Sequence, residues 1–414
     1  MQKRFFGWRC AVGCFLIAFC HSGIFSCLPA LYPFFLEKLH TSLTLLSFSM
    51  TISTVSGTLA ALIAAPLLDR LGARRMFFLG TISAVGLLLL LAAADRIIIL
   101  WIAMALGGIT MSFGLRAASV AVINAWFIEK RASLLGVIFA GMTLGGSAFL
   151  AATGRLIAPL GQRGMFLLFA AAVGLLCFGS EAFLIRDDPE SCGQRPLGAQ
   201  SAEAAAEPAG KELSGAEIAA IRRSRTFLLL AAAMILTAVT AGAFTSYGTM
   251  FLVTNGYSQE RAASVVSLIP LCGTGASVLL GVLADKKGTR AYTAAALGCY
   301  VLGLAFAILW GSVLPFGPLL IPVVLLCSFG TPALSIGATV TPTLFGRRAA
   351  TSVNSRLIVF TTAGSALCSF VGGALYDAAG SFLPFLALSA VLLGCAWLLY
   401  RSAFRRSAGP GDPV

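Results

Sequence analysis

Long apolar segments recur along the whole chain, separated by short polar connections. Each is continuously apolar over about 20 residues or more, the length an α-helix needs to cross the hydrocarbon core of a bilayer. Strands of a membrane β-barrel would instead alternate apolar and polar positions. The pattern therefore predicts twelve membrane-spanning helices. The segments cover approximately residues 8–36, 44–68, 76–94, 97–126, 133–157, 164–185, 226–253, 262–284, 291–311, 316–344, 350–375 and 381–400.

One polar interval interrupts this rhythm. Residues 186–224 are rich in Ala, Glu, Gly and Pro, and are too polar to enter lipid or to form a core. Six apolar segments precede the interval and six follow it. We therefore predict an all-α integral membrane protein with two pseudo-symmetric six-helix bundles, residues 1–185 and 225–414, joined by a linker at residues 186–224.

The composition excludes a soluble fold. Of the 414 residues, 58% are apolar and only 11% are charged, whereas an ordinary soluble domain carries about 25% charged residues. The 11 cysteines are odd in number and nearly all lie in apolar segments, where a thiol behaves as a small hydrophobe. Neither a disulfide framework nor a metal site is predicted.

The net charge of +13 indicates orientation rather than a nucleic-acid partner. With the amino terminus in the cytoplasm, 22 of the 29 Lys and Arg residues fall on the cytoplasmic side and five on the other. Cytoplasmic connections of membrane proteins carry this excess. Both termini and the linker are therefore predicted to be cytoplasmic, in a multi-pass protein of the cell (plasma or inner) membrane that contacts lipid. The two remaining basic residues, Arg116 and Arg356, lie inside predicted helices.

Two short segments repeat one pattern at equivalent places, after the second and the eighth predicted helix. Each has a carboxylate at a helix end, a glycine turn and a basic cluster. Such a set can act as a charge latch that holds neighbouring helices in one arrangement and releases them in another. The latch residues are Asp69, Arg70, Gly72 and Arg74 in the first copy, and Asp285, Lys286, Gly288 and Arg290 in the second.

The repeated segment resembles the signature of the major facilitator superfamily between helices 2 and 3 and between helices 8 and 9, with Ala65 in place of the usual first glycine. Other motifs resemble the monocarboxylate transporter and oxalate–formate antiporter group within it. The resemblance implies the twelve-helix transporter fold. The motifs that carry the finer likeness are Gly7-Trp8, Trp126-Phe127 with Lys130-Arg131, Gly136 with Ala140-Gly141, Arg222-Arg223-Ser224-Arg225-Thr226-Phe227, Gly256-Tyr257-Ser258, and Tyr376-Asp377 with Gly380.

The chain departs from that group on the eighth helix. Members usually carry a substrate-binding arginine where this chain has Ser277, and proton-coupled members carry an acidic residue where it has Gly273. A simple lactate–proton symporter is therefore not the expected activity.

Ionisable groups inside a span cost several kcal/mol and are candidate functional groups. Arg116 lies 13 residues before Glu129, about 20 Å along a helix, with Ser112 on the same helix face. It is predicted to bind an anionic substrate. The alternative is a structural arginine fixed to backbone carbonyls or to another helix.

Three further residues complete the predicted substrate site. Arg356 lies about 12 Å into the eleventh helix and resembles the lysine that oxalate–formate antiporters carry there; alternatively, it reaches the headgroups. His21 lies near the middle of the first span, as a substrate or proton-coupling group or as a neutral histidine bonded within the bundle. Tyr247 is a hydrogen-bonding candidate on the seventh helix.

These features predict secondary active transport of a small organic anion, a mono- or dicarboxylate, by alternating access. A proton or a counter-anion would be the coupled ion. No nucleotide-binding, metal or nucleophile motif is present, so neither an enzyme nor a cofactor is predicted. One alternative is a proton-coupled drug or metabolite efflux transporter, although the fifth helix lacks the Gly-Pro pair typical of such antiporters. The other is a non-transporting membrane receptor.

Overall fold

The computed structural model describes residues 5–128, 131–198, 220–312 and 317–407. Within these ranges the chain is almost entirely α-helical, with a π-helical segment at Met111–Ala117 and one isolated bridge between Phe127 and Leu197. The helices are α1 Gly7–Ala30, α2 Tyr32–Leu39, α3 Leu43–Leu71, α4 Ala73–Ala92, α5 Ile97–Thr110, α6 Ala118–Trp126, α7 Arg131–Phe183, α8 Arg225–Ala241, α9 Ala243–Thr254, α10 Gln259–Lys287, α11 Thr289–Ser312, α12 Leu320–Cys327, α13 Gly330–Leu334, α14 Ile336–Ala379 and α15 Leu383–Ser407.

The described helices confirm the predicted membrane fold. Ten are long and apolar enough to cross a bilayer, and a bent pair, Leu320–Leu334 with Ile336–Gly346, passes the same test together. One of the ten, Ser133–Phe183, has 51 residues. It would extend about 77 Å, more than twice a hydrocarbon core of about 30 Å. Counted as two arms, it brings the crossings to the predicted twelve.

Glycines with left-handed backbone divide the two longest helices. Gly161 breaks α7 at φ 64° and ψ 176°, and Gly346 breaks α14 at φ 78° and ψ 157°. Only glycine adopts positive φ without a steric penalty. The chain therefore turns between two spans at a single residue, where the sequence pattern predicts a short connection.

The chain forms two compact units. The first comprises Met1–Thr41, Phe48–Glu207 and Gln259–Ser267, and the second comprises Ser42–Ser47, Pro208–Ser258 and Leu268–Val414, each in its described part. The central part of the predicted linker, residues 199–219, lies outside the described ranges.

Two motifs of the family resemblance meet in one aromatic cluster of the first unit. Trp126 is fully buried, and its indole Nε1 donates a hydrogen bond to the carbonyl of Arg186 at 3.0 Å. The rings of Trp8 and Phe127 lie 5.4 Å apart, edge to face. Leu197 donates its backbone N–H to the carbonyl of Trp126 at 2.9 Å. Aromatic burial thus joins the start of α1, the end of α6 and the beginning of the linker segment.

Lys38 forms hydrogen bonds to residues beside the carboxyl-terminal end of α4 in the first unit. Its ammonium group donates to Asp95 Oδ1 at 2.5 Å, to Gln162 Oε1 at 2.8 Å and to the carbonyl of Ala94 at 3.1 Å. The hydrogen bond from Lys38 and the positive charge of Lys38 lower the pKa of the exposed Asp95 carboxyl. The contribution of the Lys38–Asp95 pair to stability is therefore present above the carboxyl's ordinary pKa and is lost as the pH falls through the lowered value.

Asp377 caps the amino-terminal end of α3 within the second unit. Its carboxylate oxygens accept the backbone N–H groups of Leu43 and Thr44 at 2.9 and 2.8 Å, and the Thr44 hydroxyl at 2.5 Å. The preceding Tyr376 ring stacks on Phe382 at 4.4 Å. The Tyr376-Asp377 motif therefore holds a helix start, where a carboxylate satisfies unpaired N–H groups and complements the helix dipole.

Replacing Asp377 by alanine is expected to lower the free energy of unfolding by about 0.5–2 kcal/mol, the usual range for a lost amino-terminal cap. Asp377→Asn keeps an oxygen acceptor and should retain most of that stability. Denaturation of the purified protein in mixed micelles measures both variants. Equal losses in the two would contradict the capping role.

Candidate functional site

Arg116 lies in the π-helical segment between α5 and α6. A π-helical turn bonds residue i to residue i+5, and single such turns inside α-helices occur frequently at functional sites. The Arg116 side chain lies outside the described part of the structure. Its backbone lies ten residues before Trp126, where α6 ends, which is about 15 Å of helix. The hydroxyl of Ser112 donates to the carbonyl of Gly57 at 2.5 Å and is therefore already engaged.

The π-helical segment crosses α4 at a pair of glycines. A Cβ atom on Gly80 would lie 2.7 Å from the Cα of Gly114, and a Cβ atom on Gly114 would lie 2.5 Å from Cε1 of His21. Real Cβ atoms do not approach other atoms so closely, so both positions require glycine here. The fully buried His21 ring is thus packed against the backbone two residues before Arg116.

His21, Thr81 and Glu181 form a buried hydrogen-bonded chain across α1, α4 and α7. Thr81 donates its hydroxyl to Glu181 Oε1 at 2.5 Å, and its oxygen lies 3.2 Å from His21 Nε2. The hydroxyl has a single proton, which it donates to Glu181. The imidazole therefore donates its Nε2 proton to the Thr81 oxygen. The other atoms of the two end groups, His21 Nδ1 and Glu181 Oε2, have no hydrogen-bond partner among the described residues.

The two site residues predicted in the second unit are not close to each other. Tyr247 is 2% exposed, and its hydroxyl donates to the carbonyl of Ser369 and lies 2.9 Å from Ser47 Oγ. Arg356 is half-buried on the same helix as Ser369, but 13 residues earlier, about 20 Å along α14. It lies ten residues after the break at Gly346.

The first latch copy joins the start of α4 to the end of α7. Gly72 has φ +79°, and a Cβ atom there would lie 2.8 Å from Asp187 Oδ2. Asp187 Oδ1 accepts the backbone N–H of Arg74 at 2.6 Å, which caps α4. The Arg74 guanidinium donates to the carbonyls of Glu181 and Ala182 at 2.8 and 3.2 Å. A cation at a helix carboxyl end and an anion at an amino end both complement the helix dipoles.

The second copy reproduces the arginine contact but not the acidic cap. Gly288 has φ +84°, and no atom of the described residues lies within 4 Å of a Cβ placed there. Arg290 Nη2 donates to the carbonyl of Phe404 at 3.0 Å, in the last turns of α15. Each copy therefore ties a helix start to the end of the last helix of its own half.

The latch carboxylates lie in unfavourable positions. Asp69 and Asp285 are exposed in the last turns of α3 and α10, where the negative end of the helix dipole opposes a carboxylate. Neither forms an ion pair with a described residue. Arg70 and Lys286, which follow them directly, are exposed as well.

We expect Asp69→Asn and Asp285→Asn to slow transport at least about fivefold, the lower end of typical coupling energies, while ligand affinity and thermal stability change little. The physical reason is that the amide cannot form the charge contact that stabilises one conformational state. Flux and binding measured on the same preparations test this. Asp188→Asn, an exposed acid outside the motif, serves as control, and equal loss of affinity and flux would contradict the latch role.

Sequence reasoning missed Thr81 and Asp187. A threonine on an apolar helix carries no signal of its partner, because its hydroxyl commonly bonds its own helix. Asp187 begins the turn-forming run Asp187-Asp188-Pro189, which predicts a turn but not the helix that it caps.

Comparison with known proteins places the chain in a family. The model of the Major Facilitator Superfamily matches residues 14–336, and the chain belongs to this superfamily, as the repeated motif predicts. A comparison with curated proteins finds no match. Membership of this superfamily makes the chain a multi-pass membrane transport protein for a small molecule and not an enzyme.

Solved structures share the fold at low sequence identity. A bacterial homologue of the human lysosomal transporter Spinster, in an inward-facing and occupied conformation, matches with a TM-score of 0.77 and 14% identity over 100% of both chains. Its inward-facing and unoccupied form gives 0.79 and 14% identity over 99% of this chain and 100% of that one. The nucleoside transporter NupG gives 0.73 and 12% identity over 99% and 100%. At these identities the likeness establishes the fold alone.

Proposed function

We propose that the protein is a secondary active transporter that moves a small organic anion, a mono- or dicarboxylate, across the cell membrane by alternating access. Its termini and linker are cytoplasmic in this proposal. The superfamily membership supplies the transport activity, and the charge distribution within the helices supplies the substrate class.

The observation that carries the substrate class is the matched position of two arginines along their helices. Arg116 lies ten residues before the end of α6 and Arg356 ten residues after the break at Gly346. Both helix ends adjoin a basic pair, Lys130-Arg131 in the first case and Arg347-Arg348 in the second. In each half of the chain, therefore, the backbone of one arginine lies about 15 Å along the helix from the end that adjoins the basic pair. A cation at such a position in a membrane-spanning helix is costly, and such residues commonly mark functional sites.

Guanidinium groups suit a carboxylate because their planar fork makes two parallel hydrogen bonds to its oxygens. An arginine of this kind in each half of the chain therefore supports a mono- or dicarboxylate as the substrate class. In this proposal the latch residues control the exchange between states and do not touch the substrate.

His21, Ser112 and Tyr247 each form a hydrogen bond to another segment of the protein. His21 packs on Gly114 and bonds Thr81, and so fixes the backbone that carries Arg116. The Ser112 hydroxyl bonds α3, and the Tyr247 hydroxyl bonds α14. We propose that these three position helices and that the arginines bind the anion.

Proteoliposomes containing the purified chain test the proposal. We expect saturable uptake or exchange of at least one labelled mono- or dicarboxylate, which an excess of the same unlabelled anion inhibits. Liposomes without protein and an uncharged nucleoside serve as controls. Extrusion of a cationic dye without any carboxylate flux would indicate the efflux function instead, and tight carboxylate binding without flux would indicate a receptor.

A further inference from the structure

A basic cavity lies between α11 and α15 in the second unit. Its volume is about 360 Å³, and its lining includes Arg290, Arg401 and Arg405 beside the rings of Trp397 and Phe404. No acidic side chain is among its described lining residues. Arg290 is the second residue of α11, and the other two arginines lie near the end of α15. The cavity therefore lies where both helices leave the hydrocarbon core.

The aromatic rings hold two of the guanidinium groups in place. Arg401 lies over the Trp397 ring at 5.4 Å from its centroid, and Arg290 lies over the Phe404 ring at 5.6 Å. Arg290 also donates to the carbonyl of Phe404. Rings that order a cation in advance reduce the entropy lost when an anion binds.

Comparison of the two latch copies indicates that this cavity lacks an acidic partner among its described lining residues. In the first unit the carboxylate of Asp187 caps the helix that carries Arg74. In the second unit no atom of the described residues comes within 4 Å of a Cβ placed on Gly288, and three arginines accumulate without an acidic partner in the cavity lining. In the first copy, the Asp187 carboxylate supplies the negative charge. In the second copy, a basic cavity lies at the corresponding helix start.

We propose that this cavity binds the phosphate of an anionic phospholipid headgroup. Basic pockets between membrane helices bind such headgroups. Trp397 is 39% exposed, and tryptophan is enriched at the depth of the headgroups. Because Arg290 belongs to the second latch copy, the bound lipid contacts a residue whose neighbours control the conformational change. The proposal does not depend on the identity of the transported anion.

Lipid titration of the purified full chain in detergent, followed by native mass spectrometry, tests the assignment. We expect phosphatidylglycerol to bind at least about tenfold more tightly than phosphatidylcholine, and the double variant Arg401→Gln/Arg405→Gln to lose this preference. Arg290 is left unchanged because its hydrogen bond to Phe404 supports the fold. The control Arg96→Gln/Arg163→Gln removes two exposed arginines outside the cavity and should keep the preference.

Three outcomes would overturn the proposal. Equal affinity of the wild-type chain for both lipids would show that the cavity does not select an anionic headgroup. An equal loss of preference in the control variant would show diffuse attraction to the basic surface. Displacement of phosphatidylglycerol by the same concentration of inorganic phosphate would show a site for a free anion rather than for a lipid.

Discussion

Replacing either Arg116 or Arg356 by glutamine is expected to weaken binding of the transported anion about 10- to 150-fold. The range corresponds to about 1.5–3 kcal/mol, typical of a hydrogen bond to a charged group. Glutamine keeps much of the side-chain length and a hydrogen-bond donor but removes the charge. Affinity is measured by thermal shift against a panel of carboxylates, because a ligand that binds the folded state raises its melting temperature.

Two further variants separate an anion site from a structural role. Arg→Lys at either position keeps the charge but loses the planar fork, so for a carboxylate we expect only partial recovery of affinity. Arg96→Gln, on an exposed connection, is the matched control and should bind normally. If the Arg116→Gln and Arg356→Gln variants both lose thermal stability yet bind with unchanged affinity, the arginines are structural and the substrate proposal fails.

Replacing Thr81 by valine is expected to destabilise the first unit by about 3 kcal/mol. Valine has nearly the same shape, so the change removes only the hydroxyl that joins His21 Nε2 to Glu181 Oε1. Both end groups are 2% exposed or less, and each buried polar group left without its hydrogen bond costs about 1–3 kcal/mol. The free energy of unfolding in mixed micelles provides the measurement.

The matched variants isolate the hydroxyl as the cause. Thr81→Ser keeps it and should lose much less stability. Thr58→Val removes an exposed hydroxyl that bonds only the carbonyl of Thr54 in its own helix, and should be close to neutral. Because His21 packs on Gly114, we also expect Thr81→Val to weaken ligand binding through the segment that carries Arg116. Wild-type stability of Thr81→Val would contradict the buried chain.

The repeated latch motif illustrates what the sequence could predict and what it could not. Two copies of one charge and glycine pattern predicted the superfamily, and the comparison confirmed it. The pattern did not predict that Arg74 and Arg290 bond carbonyls at the ends of α7 and α15. It also did not predict that Asp187 caps the first copy, because nothing in a local motif specifies which distant carbonyl or carboxylate lies beside it.

The sequence by itself determined the membrane fold and its helices, because the cost of placing polar groups in lipid applies residue by residue along the chain. The tertiary structure alone decided which polar groups meet. It placed His21 against Gly114, joined Thr81 to Glu181, and separated Tyr247 from Arg356 by about 20 Å of helix. Such pairings depend on how helices cross at small residues such as Gly80 and Gly114. Those crossings arise from packing between segments far apart in sequence. Hydrophobic periodicity along the chain does not predict them.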